Sequence, residues 1–407
     1  MRKHKAQSLL RSVALGAAIG IGAALLFAAG FFLRDFTGIS RGSALAASGQ
    51  GDYPLLNEVQ SLLDQHYLRD QPDASERQYA AIRGVLASLA DRYTFFIPPT
   101  VAQNESDALA GAYGGIGVQV TRNERGELVL YPFADSPAQS AGILAGDILL
   151  AVNGGPVSLQ VGQDEIDRML RGEVKPGNGV ELTVQTPADA AAEERTLFVP
   201  FDVISVPSVI WRTLAEDPAL GYIQILSFTS RTPEELAAAL DSLRADEITG
   251  LVLDLRSNSG GLLQESIAVA DEFLDGSVIV YERSSQQEKT FTAEPGGRAA
   301  DLPVAILVNG GTASASELVA GALRDNDRGL LIGQQTFGKG TVQQIFALSD
   351  RSAVHITSAE WLTPDRHQLA ENGLDPDIVM IPDANGRDVE LGEAVRQLKQ
   401  LLAEQVS

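Results

Sequence analysis

The chain's 407 residues suffice for two or three domains with cores of their own, and 44% apolar against 21% charged residues is an ordinary globular composition, not a disordered one. Arg2, Lys3, Lys5, Arg11, Arg34 and Arg41 against Asp35 put +5 on residues 1–41, so the rest of a chain totalling −22 carries −27, which argues against nucleic acid or an anionic membrane surface as its partner. Without cysteine there is no disulfide, thiolate metal site, cysteine nucleophile or lipoprotein anchor, and the four histidines fall in no metal-ligand spacing, so a zinc enzyme is not expected.

From Val13 to Leu33 no charge occurs, and these 21 residues are enough to cross the roughly 30 Å hydrocarbon layer as a helix. Basic residues precede the run, which keeps the N-terminus in the cytoplasm and moves the bulk of the chain outside. A cleavable signal is the competing reading, with Ala44-Leu45-Ala46 as the small-residue cleavage site. Either way residues 1–36 are read as a membrane anchor or signal. The bulk of the chain is expected on the extracytoplasmic side of the cell membrane, single-pass and anchored, or periplasmic and secreted after cleavage. Residues 37–51, rich in Gly, Ser and Ala, are read as a flexible tether.

Residues 52–110 form an N-terminal helical region. Leu55, Val59, Leu62 and Leu63, and then Ile82, Val85, Leu86 and Leu89, recur at helical spacing on either side of Gln71-Pro72-Asp73. No chemistry is expected of this arm.

At Gly111 the period changes to two. Gly114 to Val120 and Leu128 to Tyr131 predict a strand pair, Asp135-Ser136-Pro137-Ala138 a short helix, and Gly142 to Asn153 a strand ending in a turn. Glu165 to Leu170 reads as helix and Val180 to Val184 as a closing strand. The string Ser-Pro-Ala, Ala-Gly-Ile, Gly-Asp-Ile-Leu, Val-Asn-Gly resembles a PDZ domain, over residues 111–198. In that setting Gly114, Gly115, Ile116 and Gly117 would hold a peptide's terminal carboxylate in a nest of backbone N–H groups, and Val118 would begin the strand edge that pairs with it. Without the setting these glycines would only make a tight turn.

Residues 199–385 alternate strand and helix, with continuous apolar strands at Gly250–Arg256 and Val304–Asn309, which predicts an α/β layer fold. Thr232 and Glu235 fit a capping box for a helix from Pro233 to Leu243. Later strands are expected at Val342–Leu348 and Val354–Ile356. Residues 386–407 form a C-terminal segment with an amphipathic helix from Leu391 to Leu402.

Ser314 sits in Gly310-Gly311-Thr312-Ala313-Ser314-Ala315-Ser316-Glu317, at a strand-to-helix turn. The same residues spell a capping box, so Ser314 could serve only as a helix cap. The location also suits a nucleophile, because free N–H groups and the helix dipole stabilise charge on an attacked carbonyl. Gly333 to Lys339 matches the first seven positions of a phosphate-binding loop. The eighth is Gly340, which has no hydroxyl for Mg²⁺, and a strand pattern follows where a helix is required. Lys339 between two glycines is instead the amine that could act as base, provided burial lowers its pKa.

Three motifs occur in order: Leu253-Asp254-Leu255-Arg256-Ser257-Asn258-Ser259-Gly260-Gly261, the Ser314 segment, and Thr336-Phe337-Gly338-Lys339-Gly340-Thr341-Val342-Gln343. Preceded by a PDZ-like module, they resemble the carboxy-terminal processing peptidases, Ser-Lys serine proteases of the S41 type, from about residue 53 to about 380. The resemblance implies a multidomain α+β protein: transmembrane or signal helix, helical arm, PDZ-like β domain and crotonase-like α/β protease core. It implies Ser314 as nucleophile, Lys339 as general base and Gln343 as its orienting partner, a mechanism that needs no metal or organic cofactor. The oxyanion hole would use the N–H of Ala315 with that of Gly260, or Gly261. Arg171 resembles a PDZ arginine that couples peptide binding to the active arrangement, a regulatory role. Protein substrates would be bound by their C-termini, and homodimers through the terminal helices are compatible with the family. Ser259 stands where the family usually has proline, no acidic residue stands at Gln334 or Gln335, and Ala90-Asp91-Arg92-Tyr93 departs from the usual aspartate-proline turn. Rival readings are a non-catalytic PDZ adaptor, an acyl-thioester enzyme on the same kind of fold, and a hydrolase using His355 or His367 as base.

Overall fold

A computed structural model describes residues 53–406 apart from 124, 158–160, 187–193, 371 and 384–385. The apolar run at 13–33 and the tether at 37–51 lie outside the described residues, among which no helix is long and apolar enough to cross a membrane. The chain divides into two compact units between Ala80 and Ala81.

In the first unit the helix Pro54–His66 starts with proline in its first turn, where the missing N–H costs nothing. Asp64 pairs with Arg77 at 3.0 Å, and the Gln71 side chain donates to Leu63 O, closing the break between this helix and the next, Ala74–Ala87.

In the second unit the α/β core is built on a six-stranded sheet. Its order is Val209–Leu214, Asp217–Ile225, Gly250–Asp254, Val304–Val308, Gly329–Gly333, Ile378–Val379, parallel from the second strand onward. The two central strands are buried at every position, which is why they read as continuous apolar runs. Alternate residues serve opposite faces. Leu251, Leu253, Val304, Ile306 and Val308 belong to the core shared with the helices Thr232–Ala245, Leu263–Asp271 and Ala315–Asp325. Val252, Ala305 and Leu307 pack with Ala394 and Leu398 of the terminal helix Val389–Val406 on the other face.

A second, antiparallel sheet joins Phe95–Ile97, Ala353–Leu362, Val278–Ser284 and Glu288–Thr292, with Thr341–Ala347 also paired to Ala353–Leu362. The strand expected at Val354–Ile356 is thus ten residues long. The helix Pro99–Ala110 falls inside the region 52–110 read as helical but is not marked individually by the sequence pattern; it follows Pro98 and ends at Gly111 in the left-handed conformation (φ 66°). A Cβ at Gly111 would lie 2.8 Å from Thr229 Oγ1, so glycine is required there on two counts.

The PDZ-type sheet runs in the order Val118–Arg122, Leu128–Pro132, Asp147–Val152, Gly179–Gln185, Glu194–Pro200 around its own core. It is entered and left through a two-stranded ladder, Ala112–Gly115 with Asp202–Ser205.

The capping box expected at Thr232 and Glu235 does not form. Thr232 is the first residue of the helix. The Glu235 carboxylate instead accepts from Ser208 N–H, Ser208 Oγ–H and Val209 N–H, and pairs with Arg231 at 2.8 Å. Glutamate at this position therefore pins the first core strand where the chain leaves the PDZ-type domain.

Candidate active site

The strand Val304–Val308 delivers the chain to a tight turn before the helix Ala315–Asp325. Asn309 Oδ1 accepts from Gly311 N–H at 2.9 Å and from Ser257 N–H at 2.8 Å. Thr312, fully buried, donates its hydroxyl to Leu255 O. Ser314 follows with φ 56° and ψ −118°, a conformation that costs a non-glycine residue about 1–3 kcal/mol and persists only where its surroundings impose it. The surroundings are Glu317. Its Oε2 accepts the Ser314 N–H at 2.8 Å, so the capping-box glutamate is present and engaged.

Glu317 does more than cap. The side chain is completely buried, and it also accepts from Thr336 Oγ1 at 2.5 Å, Gly338 N–H at 2.7 Å and Lys339 N–H at 2.9 Å. One carboxylate thus ties the serine turn to the lysine loop. Lys339 is half-buried, and burial pushes its pKa below the ordinary lysine value while Glu105 and then Glu317 resist the shift. Its ammonium nitrogen lies 5.5 Å from the centre of the Tyr93 ring.

The glycine loop beside the serine is shaped by Asn258, also completely buried. Asn258 Nδ2 donates to Ile225 O at 2.8 Å, its Oδ1 accepts the Gly260 N–H at 2.9 Å, and its carbonyl accepts from Ala313 N–H and Ser316 Oγ–H. Gly260 lies against Ser314: a Cβ there would be 2.9 Å from Ser314 Cβ and 3.2 Å from Ala315 N. Its N–H, however, is already given to Asn258. An isolated bridge to Phe228 runs from Phe228 N–H to Gly260 O and from Leu262 N–H to Phe228 O, leaving the N–H of Gly261 out of it.

Ser314, Ala315, Gly260, Gly261, Lys339 and Gln343 line one cavity of about 700 Å³. Gln343, next to a bulge in its strand, donates its amide to Thr341 Oγ1 at 2.8 Å and not to Lys339. His355 reaches the same cavity, but its Nε2 is 2.9 Å from Glu105 Oε2. His367 lies in a different pocket, beside Asp325 and Asp365. The loop from Gly333 to Lys339 is followed by the strand Thr341–Ala347, so the helix that a phosphate loop needs is absent.

In the PDZ-type domain Gly114 and Gly115 belong to the entry ladder, Ile116 is buried and Gly117 has φ 70°. Val118 opens the end strand of its sheet, paired only with Leu128–Pro132 among the described strands. Ile116, Gly117, Val118 and Arg171 border a cavity of only about 30 Å³. Arg171 bridges to Gly115 and lies over the Tyr113 ring at 4.1 Å, while Gly172 N–H donates to Gly114 O.

Comparison with known proteins bears directly on this arrangement. A model of peptidase family S41 matches residues 219–380, and a PDZ-domain model matches residues 114–191. A carboxy-terminal-processing protease of Bartonella bacilliformis is 34% identical over 384 residues, spanning 91% of this chain and 86% of that one. The chain belongs to peptidase family S41. A carboxyl-terminal-processing protease of Synechocystis is 36% identical over 324 residues, 78% of this chain and 74% of the relative. An S41 protease structure from Bacteroides fragilis superimposes with a TM-score of 0.51 at 17% identity, covering 84% of this chain and 97% of the other, a likeness of fold alone.

This S41 chain is therefore a serine-type peptidase with a PDZ domain. Sequence reading missed Glu105 because nothing marked its helix, and Asn258 because a buried asparagine in a glycine motif looks like turn chemistry. Glu317 was visible, as the last letter of a capping box, but only as a cap. Its real span includes the Thr336–Lys339 loop, 19 to 22 positions along the chain, which only the fold brings to it.

Proposed function

We propose that this chain is an endopeptidase working through a Ser314–Lys339 dyad, on protein substrates held by their C-termini, outside the cytoplasmic membrane. The observation that carries the reading is the shared Glu317 carboxylate, which holds the backbones of Ser314 and Lys339 at the wall of one cavity. Neutral Lys339 would take the Ser314 hydroxyl proton as Oγ attacks the scissile carbonyl. The oxyanion would be held by the N–H of Ala315 and of the Gly260-Gly261 loop, with Gly261 the better donor while Asn258 occupies Gly260. The Lys339 ammonium then protonates the leaving amine, and water releases the acyl group from Ser314 by the same proton path in reverse. Gln343 stands at the same cavity in the strand that follows the lysine loop, its amide held by Thr341.

The PDZ-type groove supports C-terminal recognition: a positive-φ glycine, an open strand edge and Arg171 surround the carboxylate position. Extracytoplasmic placement, as anchor or cleaved signal, rests on the charge-free run Val13–Leu33 with basic residues before it. Self-association through the terminal helices is supported by the helix Pro54–His66, none of whose residues is buried.

The test is degradation of an unfolded protein by the full-length chain, with Ser314→Ala and Lys339→Ala alongside, on substrates with free or amidated C-termini. Activity confined to the wild type and lost on amidation supports both dyad and groove. Turnover that survives Lys339→Ala removes the dyad.

A further inference from the structure

One wall of the cavity carries charge that this mechanism does not use. Strand pairing sets Phe95, His355 and Ile345 in one row, and all three line the cavity. The Phe95 ring stacks on the His355 imidazole, with centroids 4.4 Å apart and planes at 14°. Glu105, on the helix Pro99–Ala110, places Oε2 2.9 Å from His355 Nε2. Its carboxylate is thus held at the cavity wall and not left to wander in solvent.

Lys339 lines the same cavity, and among the described residues its side-chain nitrogen has no hydrogen-bond or ion-pair partner. Groups face it from several elements: Tyr93 from the segment before the first cavity strand, Glu317 from the nucleophile helix, Glu105 and His355, and Glu265 elsewhere on the cavity wall. Glu317 already accepts four donors, which fills a carboxylate's capacity. Glu105 has given only Oε2 to His355, and it favours the lysine ammonium more strongly than Glu317 does. Leu109, Phe228, Leu318 and Trp361 add apolar wall to the cavity, where a held charge is screened less than in bulk water.

Resting on the Ser–Lys reading above, we propose that Glu105, clamped by His355, is the counter-charge that sets the pH at which Lys339 becomes a base. It is a positioning residue: it touches neither Ser314 nor the scissile bond, and acts by stabilising the protonated form of the lysine. The empty site is thereby held closer to its inactive protonation state, and the rising limb of the pH–rate profile lies higher than burial of Lys339 alone would place it.

The experiment measures kcat/KM of the full-length chain from about pH 5 to pH 10 on a quenched peptide with a free C-terminus. Wild type, Glu105→Gln and Glu105→Asp are compared, with Lys339→Ala and labelling of Ser314 by a fluorophosphonate as controls. Glu105→Gln moves the rising limb to lower pH by about one unit, so activity below the limb rises up to roughly tenfold. Glu105→Asp, which keeps the charge, returns the limb to the wild-type position. A Glu105→Gln limb that stays in place or moves to higher pH overturns the proposal, as does an equal displacement in Glu105→Asp, which would mean packing and not charge. The underlying reading fails separately. If Lys339→Ala keeps the wild-type limb, the base lies elsewhere and both fall; if it is silent while Glu105→Gln is unmoved, only the role of Glu105 falls.

Discussion

The Oε2 atom of Glu317 accepts the backbone N–H of Lys339 at 2.9 Å, and the same atom accepts the N–H of Ser314. Replacing Glu317 with alanine leaves four donors without their acceptor in a site with no exposure. Each buried donor so abandoned costs about 1–3 kcal/mol, and a loss of at least about 3 kcal/mol is expected even if some turn to water. Denaturant unfolding measures that loss. Turnover falls by at least about a hundredfold, with a smaller change in KM, because Ser314 and Lys339, the proposed dyad, lose their common anchor.

Lys339 is held in the fold at the expense of stability. Its folded pKa lies below 10.5, chiefly through burial, so the unfolded chain binds more protons in the interval between the folded value and 10.5. Stability therefore rises with pH across that interval, and the full penalty is present below it. Lys339→Met removes the penalty. The variant is inactive but melts at a higher temperature than wild type near neutral pH, and the difference shrinks towards pH 10; thermal melts at several pH values show whether it does.

Asn258→Ala strands Gly260 N–H and Ile225 O, both buried with it. The expected cost is about 2–4 kcal/mol in chemical denaturation. Turnover declines with it, since the loop carrying Gly260 and Gly261 loses the side-chain bonds that fix Gly260 and tie the loop to Ile225.

Arg256 clips the terminal helix to the core sheet. Its guanidinium binds the buried Asp254, which also accepts Tyr222 Oη–H at 2.8 Å, and pairs with Asp388 at 2.8 Å. Arg256→Ala leaves Asp254 buried and unpaired, at about 3–5 kcal/mol. Desolvation pushes the Asp388 carboxyl up, but Arg256 and the Leu391 N–H together hold it below 3.8. That stabilisation is complete above the unfolded value and disappears as pH falls through the folded one. Acid unfolding of wild type should therefore be shallower in Asp388→Asn, read by ellipticity against pH.

Gly117→Ala tests the peptide site without touching the protease site. Gly117 has φ 70°, and a Cβ would stand 2.6 Å from Ser136 Cβ. Binding of a peptide with a free C-terminus, followed by fluorescence anisotropy, weakens by at least about tenfold, while labelling of Ser314 by a small fluorophosphonate persists. Equal affinity in the variant would remove Gly117 from the site.

Much of the architecture was legible because periodicity reports burial directly. The unbroken apolar runs Gly250–Asp254 and Val304–Val308 are strands covered on both faces, and the alternation at Gly179–Gln185 belongs to a sheet with one face buried. Short strands and the helix Pro99–Ala110 were not legible, since their burial comes from neighbours far along the chain.

The same division runs through the site. Sequence by itself determined which residues could do the chemistry: a serine at a strand-to-helix turn, a lysine between glycines, and the glycine loop that precedes them. These are local demands on backbone conformation, and each leaves a local mark. Only the tertiary structure decided what those residues face. Glu317 reaches across to the lysine loop, Asn258 takes the Gly260 N–H while joining two strands and a turn, and Glu105 meets His355 across 250 positions. A hydrogen bond depends on distance in space, and spacing in sequence holds no record of it once the chain has folded back on itself.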